Sequence, residues 1–251
     1  MIRKITEKMS KIPGIKRVIK KTFVYDVINQ LLEKVSPNGI SKYEIKKLLN
    51  KKDPILLEIG AHDGADTISF LQIIEKAKLY CFEPNPKATL KFKERIKELK
   101  KRKKNINCSL FEIAISDKNG QAEFYITAEE KYSAQSTLKK PKSILRDSQN
   151  LWKDGETIIV KTEKLDDWVK KKNIKQIDFI WADTEGSERA LITGGSKTLN
   201  EKTRYFYTEF NNNEIFENQP NLSEILKLLP NFKLLKIYGN NILLKNIKIE
   251  K

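Results

Sequence analysis

Apolar and polar positions change rhythm along the chain. In the first 50 residues Val18, Ile19, Phe23, Val27, Ile28, Leu31 and Leu32 recur every three or four positions with lysines opposite, which predicts an amphipathic helix. Ile12-Pro13-Gly14 breaks the segment before it, and Ser36-Pro37-Asn38-Gly39 ends it. Ser41 can cap a second helix carrying Ile45, Leu48 and Leu49. From Ile55 onward short apolar runs alternate with helical spacing. Strands are predicted at 55–60, 79–83, 106–115, 177–182, 204–210, 232–238 and 241–246, and helices at 65–77, 86–103, 165–172, 187–193 and 222–229. This alternation predicts an α/β domain over 51–251, a seven-stranded, mostly parallel sheet with helices on both faces. Gly239-Asn240-Asn241 turns the last two strands into an antiparallel hairpin. The stretches 122–126 and 157–160 read as added strands around a polar segment, 127–156, without strong periodicity. Such a segment in a compact domain marks a lid, a substrate loop or local disorder.

The 251 residues include 39% hydrophobic positions, enough for a sizeable core. No run of 18 apolar residues occurs, and Lys or Arg interrupts the N-terminus repeatedly from Arg3 to Lys21, so neither a membrane span nor a secretory signal is expected. Cys81 and Cys108 fall within strands and suit reduced thiols, so a cytoplasmic protein is expected. The net charge of +16 is concentrated: residues 1–52 hold 14 Lys/Arg against 4 Asp/Glu, and residues 87–104 hold 10 against 2. These segments either attract phosphates, anionic lipid heads or acidic glycans, or are the solvated faces of lysine-rich helices. The basic extension over 1–50 accordingly docks on the domain, pairs with another subunit, or makes peripheral membrane contact through residues 1–35.

The chemistry begins where the first strand of the domain ends, at Glu58-Ile59-Gly60-Ala61-His62-Asp63-Gly64. A strand, a glycine loop and a helix start let the backbone approach a nucleotide-like ligand. The glycines are spaced G-x-x-x-G, not the G-x-G-x-x-G through which a pyrophosphate meets a helix N-terminus, which argues against NAD or FAD. Glu58 and Asp63 would cradle a cationic or hydroxyl-rich group better than a phosphate. Glu83 ends the second strand, where an acid can accept both hydroxyls of a ribose. An adenosine ligand that carries positive charge in place of phosphate is S-adenosylmethionine.

The chain also resembles the FkbM-type methyltransferases of the class I, S-adenosylmethionine-dependent superfamily. Four blocks carry the resemblance: Glu58 to Gly64 and on through Thr67; Phe82-Glu83-Pro84-Asn85; Ala114-Ile115-Ser116-Asp117-Lys118-Asn119-Gly120; and Leu165-Asp166-Asp167-Trp168 followed by the run from Ile177 to Glu188, with Gly194-Gly195 closing its helix. They span about residues 55–195, and the last block is the specific one. The resemblance implies a Rossmann-like fold and methyl transfer to oxygen, commonly on a sugar or a polyketide-like hydroxyl. It implies that Glu58, Gly60, Asp63, Gly64 and Thr67 contact the methionine part of the cofactor. Glu83, with Pro84 and Asn85, would hold the ribose, Ile113 and Ala114 would lie near adenine, and Asp183 would face the methyl group. Where the family often has Lys-Ile-Asp-Val-Glu-Gly, this chain has Trp181-Ala182-Asp183-Thr184-Glu185-Gly186, so Trp181 either walls the site or fills core.

A hydroxyl acceptor gains from a general base, for which Asp183, Glu185, His62 and Glu209 are candidates. Glu185 could instead serve the helix start, and His62 could touch only cofactor or solvent. Glu188 suits a hydrogen-bonding role. Asp183, Glu185 and Glu209 with Asn211 could gather a divalent cation of the Mg²⁺ type, although no metal is required. The expected partner is a small-molecule or glycan acceptor, a nucleotide sugar or another saccharide of surface-glycan or natural-product biosynthesis. Nucleic acid is disfavoured: the fourth strand is followed by Asp183-Thr184-Glu185-Gly186, not the Asn/Asp-Pro-Pro-aromatic turn of base methylation, and the Lys100–Lys104 run lacks aromatics for stacking. A protein that binds the cofactor without catalysis, or tethers an assembly at the membrane, is the remaining alternative.

Overall fold

The computed structural model describes residues 39–128, 130–140, 155–211, 216 and 218–249. The helix expected within 1–38, with its membrane contact, and the part of the polar stretch at 141–154 lie outside them.

The domain is built on a seven-stranded sheet of order β3-β2-β1-β7-β8-β10-β9. Its strands are β1 (Ile55–Ile59), β2 (Lys78–Phe82), β3 (Cys108–Phe111), β7 (Ile177–Ala182), β8 (Thr203–Glu209), β9 (Phe232–Tyr238) and β10 (Asn241–Asn246). Pairing is parallel from β3 through β8 and antiparallel at β8–β10 and β10–β9, as the sequence predicts. Two residues, Gly239-Asn240, make the hairpin turn; Asn241 already pairs with Tyr238, and Gly239 has φ +59°, the sign that a primed turn requires.

Alternate residues of each strand feed two cores. On one face Leu57, Ile59, Ile180 and Phe206 meet α4 (Leu165–Lys171), α5 (Glu188–Gly194), α6 (Ser196–Lys202) and α7 (Leu222–Leu228). On the other Leu56, Phe179, Trp181 and Tyr207 meet α1 (Lys42–Leu49), α2 (Ala65–Ile73) and α3 (Pro86–Arg102). Ser41 caps α1 with a full capping box to Glu44, and Ile45 and Leu49 lie in the second core. Among the described residues no helix is long and apolar enough to cross a membrane. Cys81 and Cys108 are free thiols with their sulfurs 3.7 Å apart.

The structure corrects the sequence-based elements in three places. The strand expected over 106–115 breaks after Phe111, whose carbonyl accepts the Glu83 amide; the next amide on that side of β2, that of Asn85, donates to the Glu83 carboxyl instead of continuing the ladder. Its last part becomes β4 (Ala114–Ile115), which leaves the main sheet. With β5 (Gly120–Tyr125) and β6 (Thr157–Glu163) it forms a separate three-stranded sheet of order β4-β6-β5. Helix α6 is additional to the sequence-based elements; Asp166 accepts its Thr198 and Lys197 amides at 2.6 and 3.2 Å. The Leu165–Trp168 block is thereby scaffold: Trp168 packs on Tyr80, Phe82 and Phe111, and Asp167 accepts from Asn119 at 2.6 Å.

Candidate functional site

Strand order reverses on either side of β1, and at that switch point the carboxyl ends of β1 and β7 frame a crevice. Gly60 makes the crevice possible. It has φ +88°, and a Cβ there would sit 1.8 Å from the Asp183 carbonyl oxygen. The cleft measures about 600 Å³ including its open mouth, within the usual range for a small molecule, and its wall includes Ile59, Gly60, His62, Phe82 and Glu83. Pro84, Ile113, Ala114, Asp183, Thr184 and Ser187 also line it.

Of the residues expected at the cofactor, Gly60, Glu83, Pro84, Ile113, Ala114 and Asp183 meet at this wall. Glu58, Asp63, Gly64, Thr67 and Asn85 do not line it. Glu58 is buried beneath the loop, where it accepts from Thr67 Oγ1 at 2.5 Å and from Cys81 Sγ at 3.5 Å. Asp63 turns outward to Arg95 at 2.7 Å and to the Ala65 amide. Gly64 caps α2, and a Cβ there would strike the Phe92 ring. Asn85 caps α3 through the Lys87 amide.

Glu83 is aimed by its neighbours. Its two carboxyl oxygens accept the backbone amides of His62 and Asn85, each at 2.8 Å. Burial pushes its pKa to about 7, against the pull of those two bonds. His62 holds φ +45° and its Nε2 lies 2.9 Å from Ser133 Oγ. Burial lowers its pKa, so the ring is neutral near pH 7.

At the far side of Asp183 a second group of acids gathers. One carboxyl oxygen each from Asp183, Glu185 and Glu209 lie within 4.8 Å of one another. Burial first, then mutual repulsion, raises Glu185 to about 9 and Glu209 to about 8. Asp183 is walled by protein but its side chain opens to the cleft, so water tempers a shift whose direction is upward, to about 7, through desolvation, Asp66 and Glu188. Lys42 opposes that shift; its ammonium lies 3.9 Å over the Trp181 ring and pairs with Asp66. Three converging carboxylates of this kind could hold a divalent cation. The backbone amide of Asn211, just beyond β8, faces the Pro220 carbonyl at 3.5 Å. Trp181 is 9% exposed and stacked on Tyr207, so it fills core.

The sequence did not single out the residues that complete the wall: Phe124, Ser133, Ala134, Ser136, Leu138, Thr184 and Ser187. Four of them come from the polar stretch after β5, where a short 3-10 helix, Glu130–Gln135, and a bridge between Tyr125 and Thr137 bring the chain over the cleft. Among the described residues Ser187 Oγ is buried without a hydrogen-bond partner, a polar atom that a bound ligand would satisfy.

Comparison with known proteins agrees with this geometry. The family described as "Methyltransferase FkbM domain" matches residues 58–238. A 2-O-methyltransferase, NoeI, of Sinorhizobium fredii is 38% identical over 214 residues, 82% of this chain and 85% of that protein. Among solved structures, the methyltransferase FkbM of Methylobacillus flagellatus KT superposes with a TM-score of 0.50 at 11% identity, over 77% of this chain and 44% of that one. That likeness is one of fold.

Proposed function

The chain belongs to the FkbM methyltransferase family and is a methyltransferase, and on that premise we propose that it moves the methyl group of S-adenosylmethionine to a hydroxyl oxygen of a sugar. The observation that carries this proposal is that Asp183 belongs both to the wall of the cleft that holds Glu83 and to a carboxyl cluster beside that cleft. Glu83 is a single carboxyl fixed by two amides. Asp183, Glu185 and Glu209 form a cluster whose proton affinity is raised.

The residues fit the cofactor. Glu83 would accept from both ribose hydroxyls, and each such bond favours its ionised form. Ile113 and Ala114 offer an apolar wall for the adenine. Gly60 leaves its backbone bare, Ser187 Oγ awaits a partner, and Asp183 supplies negative charge. When bound, the sulfonium supplies an electrophilic methyl group. The acid cluster would orient the acceptor hydroxyl and take its proton, with pKa values near the working pH, where a base is most effective. His62, bonded to Ser133 beside Glu83, serves the cofactor side of the cleft.

The name of the relative, a 2-O-methyltransferase, supports oxygen as the acceptor atom. A saccharide or nucleotide sugar of surface-glycan or natural-product assembly, methylated in the cytoplasm, fits an acid-lined acceptor end. Calorimetry with S-adenosylmethionine tests the donor: Glu83→Gln is expected to weaken binding by about 10-fold or more, the cost of a charged hydrogen-bond pair. Absence of binding to the wild-type protein would sink the proposal. Transfer of labelled methyl to a panel of nucleotide sugars and glycan fragments tests the acceptor class.

A further inference from the structure

Glu185 and Gly186 are consecutive left-handed residues, with φ +48° and +91°. Gly186 adopts this freely, whereas a glutamate needs outside support. The loop is clamped from two sides. Beneath it, buried Glu188 accepts Thr184 Oγ1 at 2.9 Å and the Gly186 amide at 3.2 Å through one carboxyl oxygen. Above it, Thr137, 1% exposed, donates its hydroxyl to the Glu185 carbonyl at 2.6 Å.

Thr137 is itself firmly set. It exchanges backbone hydrogen bonds with Tyr125 at 2.8 and 3.0 Å, and its hydroxyl accepts the Lys139 amide at 3.0 Å. The same turn supplies Ser133, Ala134, Ser136 and Leu138 to the wall of the cleft. One hydroxyl therefore joins the cover of the cofactor end to the residue whose carboxyl completes the cluster with Asp183 and Glu209. We propose that Thr137 is a positioning residue for methyl transfer: it holds Glu185 in its left-handed conformation and so delivers that carboxyl to the acceptor end. This rests on the assignment of the acid cluster to the acceptor.

The test compares Thr137→Val, which removes the hydroxyl at nearly constant volume, with Thr137→Ser, which keeps it. Glu185→Gln and the Thr137→Val/Glu185→Gln double variant complete the set. Label transfer from S-adenosylmethionine to neutral methyl glycopyranosides should fall about 10-fold or more in Thr137→Val and recover to within about threefold in Thr137→Ser. Cofactor affinity by calorimetry should stay within about threefold throughout, and the double variant should be no slower than Glu185→Gln alone. A second measurement needs no acceptor. In protein carrying ¹³C-carboxyl glutamate, the Glu185 titration should fall toward the ordinary range in Thr137→Val and stay raised in Thr137→Ser. The proposal is overturned by an unmoved Glu185 titration, by multiplicative losses in the double variant, by full activity of Glu185→Gln, or by cofactor affinity lost in step with rate. Failure of the wild-type protein to bind S-adenosylmethionine would instead overturn the proposed function.

Discussion

Replacing Glu58 by glutamine should change how the stability of this fold depends on pH. The carboxyl is 1% exposed, and burial together with Asp66 raises its pKa from 4.5 to about 8, against hydrogen bonds from Thr67 and Cys81 and the charge of Lys42. Below pH 4.5 both folded and unfolded chains hold this proton. Between 4.5 and about 8 only the folded chain holds it, so stability falls as pH rises through this window, and above about 8 the fold carries a buried charge. The full interval corresponds to about 5 kcal/mol as a ceiling, and relaxation with water entry brings the expected effect to about 2 kcal/mol. Glutamine keeps the shape and still accepts from Thr67 Oγ1, but it cannot ionise. Guanidinium titrations followed by tryptophan fluorescence at pH 5 and pH 8.5 would measure this. The variant should lie within about 1 kcal/mol of wild type at the lower pH. Its loss of stability on going to the higher pH should be about 2 kcal/mol smaller. Other raised carboxyls titrate in both proteins and cancel in the comparison. An identical pH dependence in the two proteins would refute the buried, proton-bearing state of Glu58.

Gly60→Ala should destabilise the fold by about 3 kcal/mol and abolish cofactor binding, as read by the denaturation midpoint and calorimetry, because its Cβ would meet the Asp183 carbonyl at 1.8 Å in a left-handed residue. If the cluster is the base, as proposed, methyl transfer should rise with pH through the range of about 7 to 9 that Asp183, Glu185 and Glu209 span, since only the deprotonated form would take the acceptor proton. A flat pH–rate profile between 6 and 9 would remove the cluster from that step.

The parts of the fold that were legible in the sequence are those where burial is written as period. The run Ile55–Ile59 lies at the centre of a parallel sheet, so it reads as nearly continuous apolar sequence. Glu58 within it is the exception. Its partners Thr67 and Cys81 come from α2 and β2, and no local pattern shows that they enclose it. The partner of Asp63 was hidden in the same way: Arg95 is 32 positions downstream on α3, in a helix that reads only as a basic run. The wall formed by Ser133, Ser136 and Leu138 was invisible because its residues are polar or isolated and are placed by backbone pairing with Tyr125, which leaves no periodic trace. Lys42 was hidden by its setting, one lysine among many on an amphipathic helix, yet it lies over Trp181. Glycine spacing and the acid that ends β2 were legible because they act through backbone geometry close at hand.

Charge in this molecule is sorted, and the sorting bears on the ligand. The chain carries +16, with its basic segments at residues 1–52 and 87–104. Yet Asp183, Glu185 and Glu209 converge where β7 and β8 end, with buried Glu188 nearby. Several lysines of α3 are already matched, Lys93 to Glu112 at 2.6 Å and Lys87 to Glu156 at 3.0 Å, so its face is less cationic than its composition. The carboxyls that converge around Asp183 are costly to the fold, because each raised proton affinity reports an ionised state that the protein destabilises. A hydroxyl donor relieves that cost by hydrogen bonding and a cation relieves it by charge, whereas a phosphate would add to it. The charge of this corner thus supports the proposed pair of ligands, an acceptor whose reacting ring is an uncharged polyol beside a donor that carries positive charge, and under that proposal any phosphate of a nucleotide-sugar acceptor lies away from the cluster.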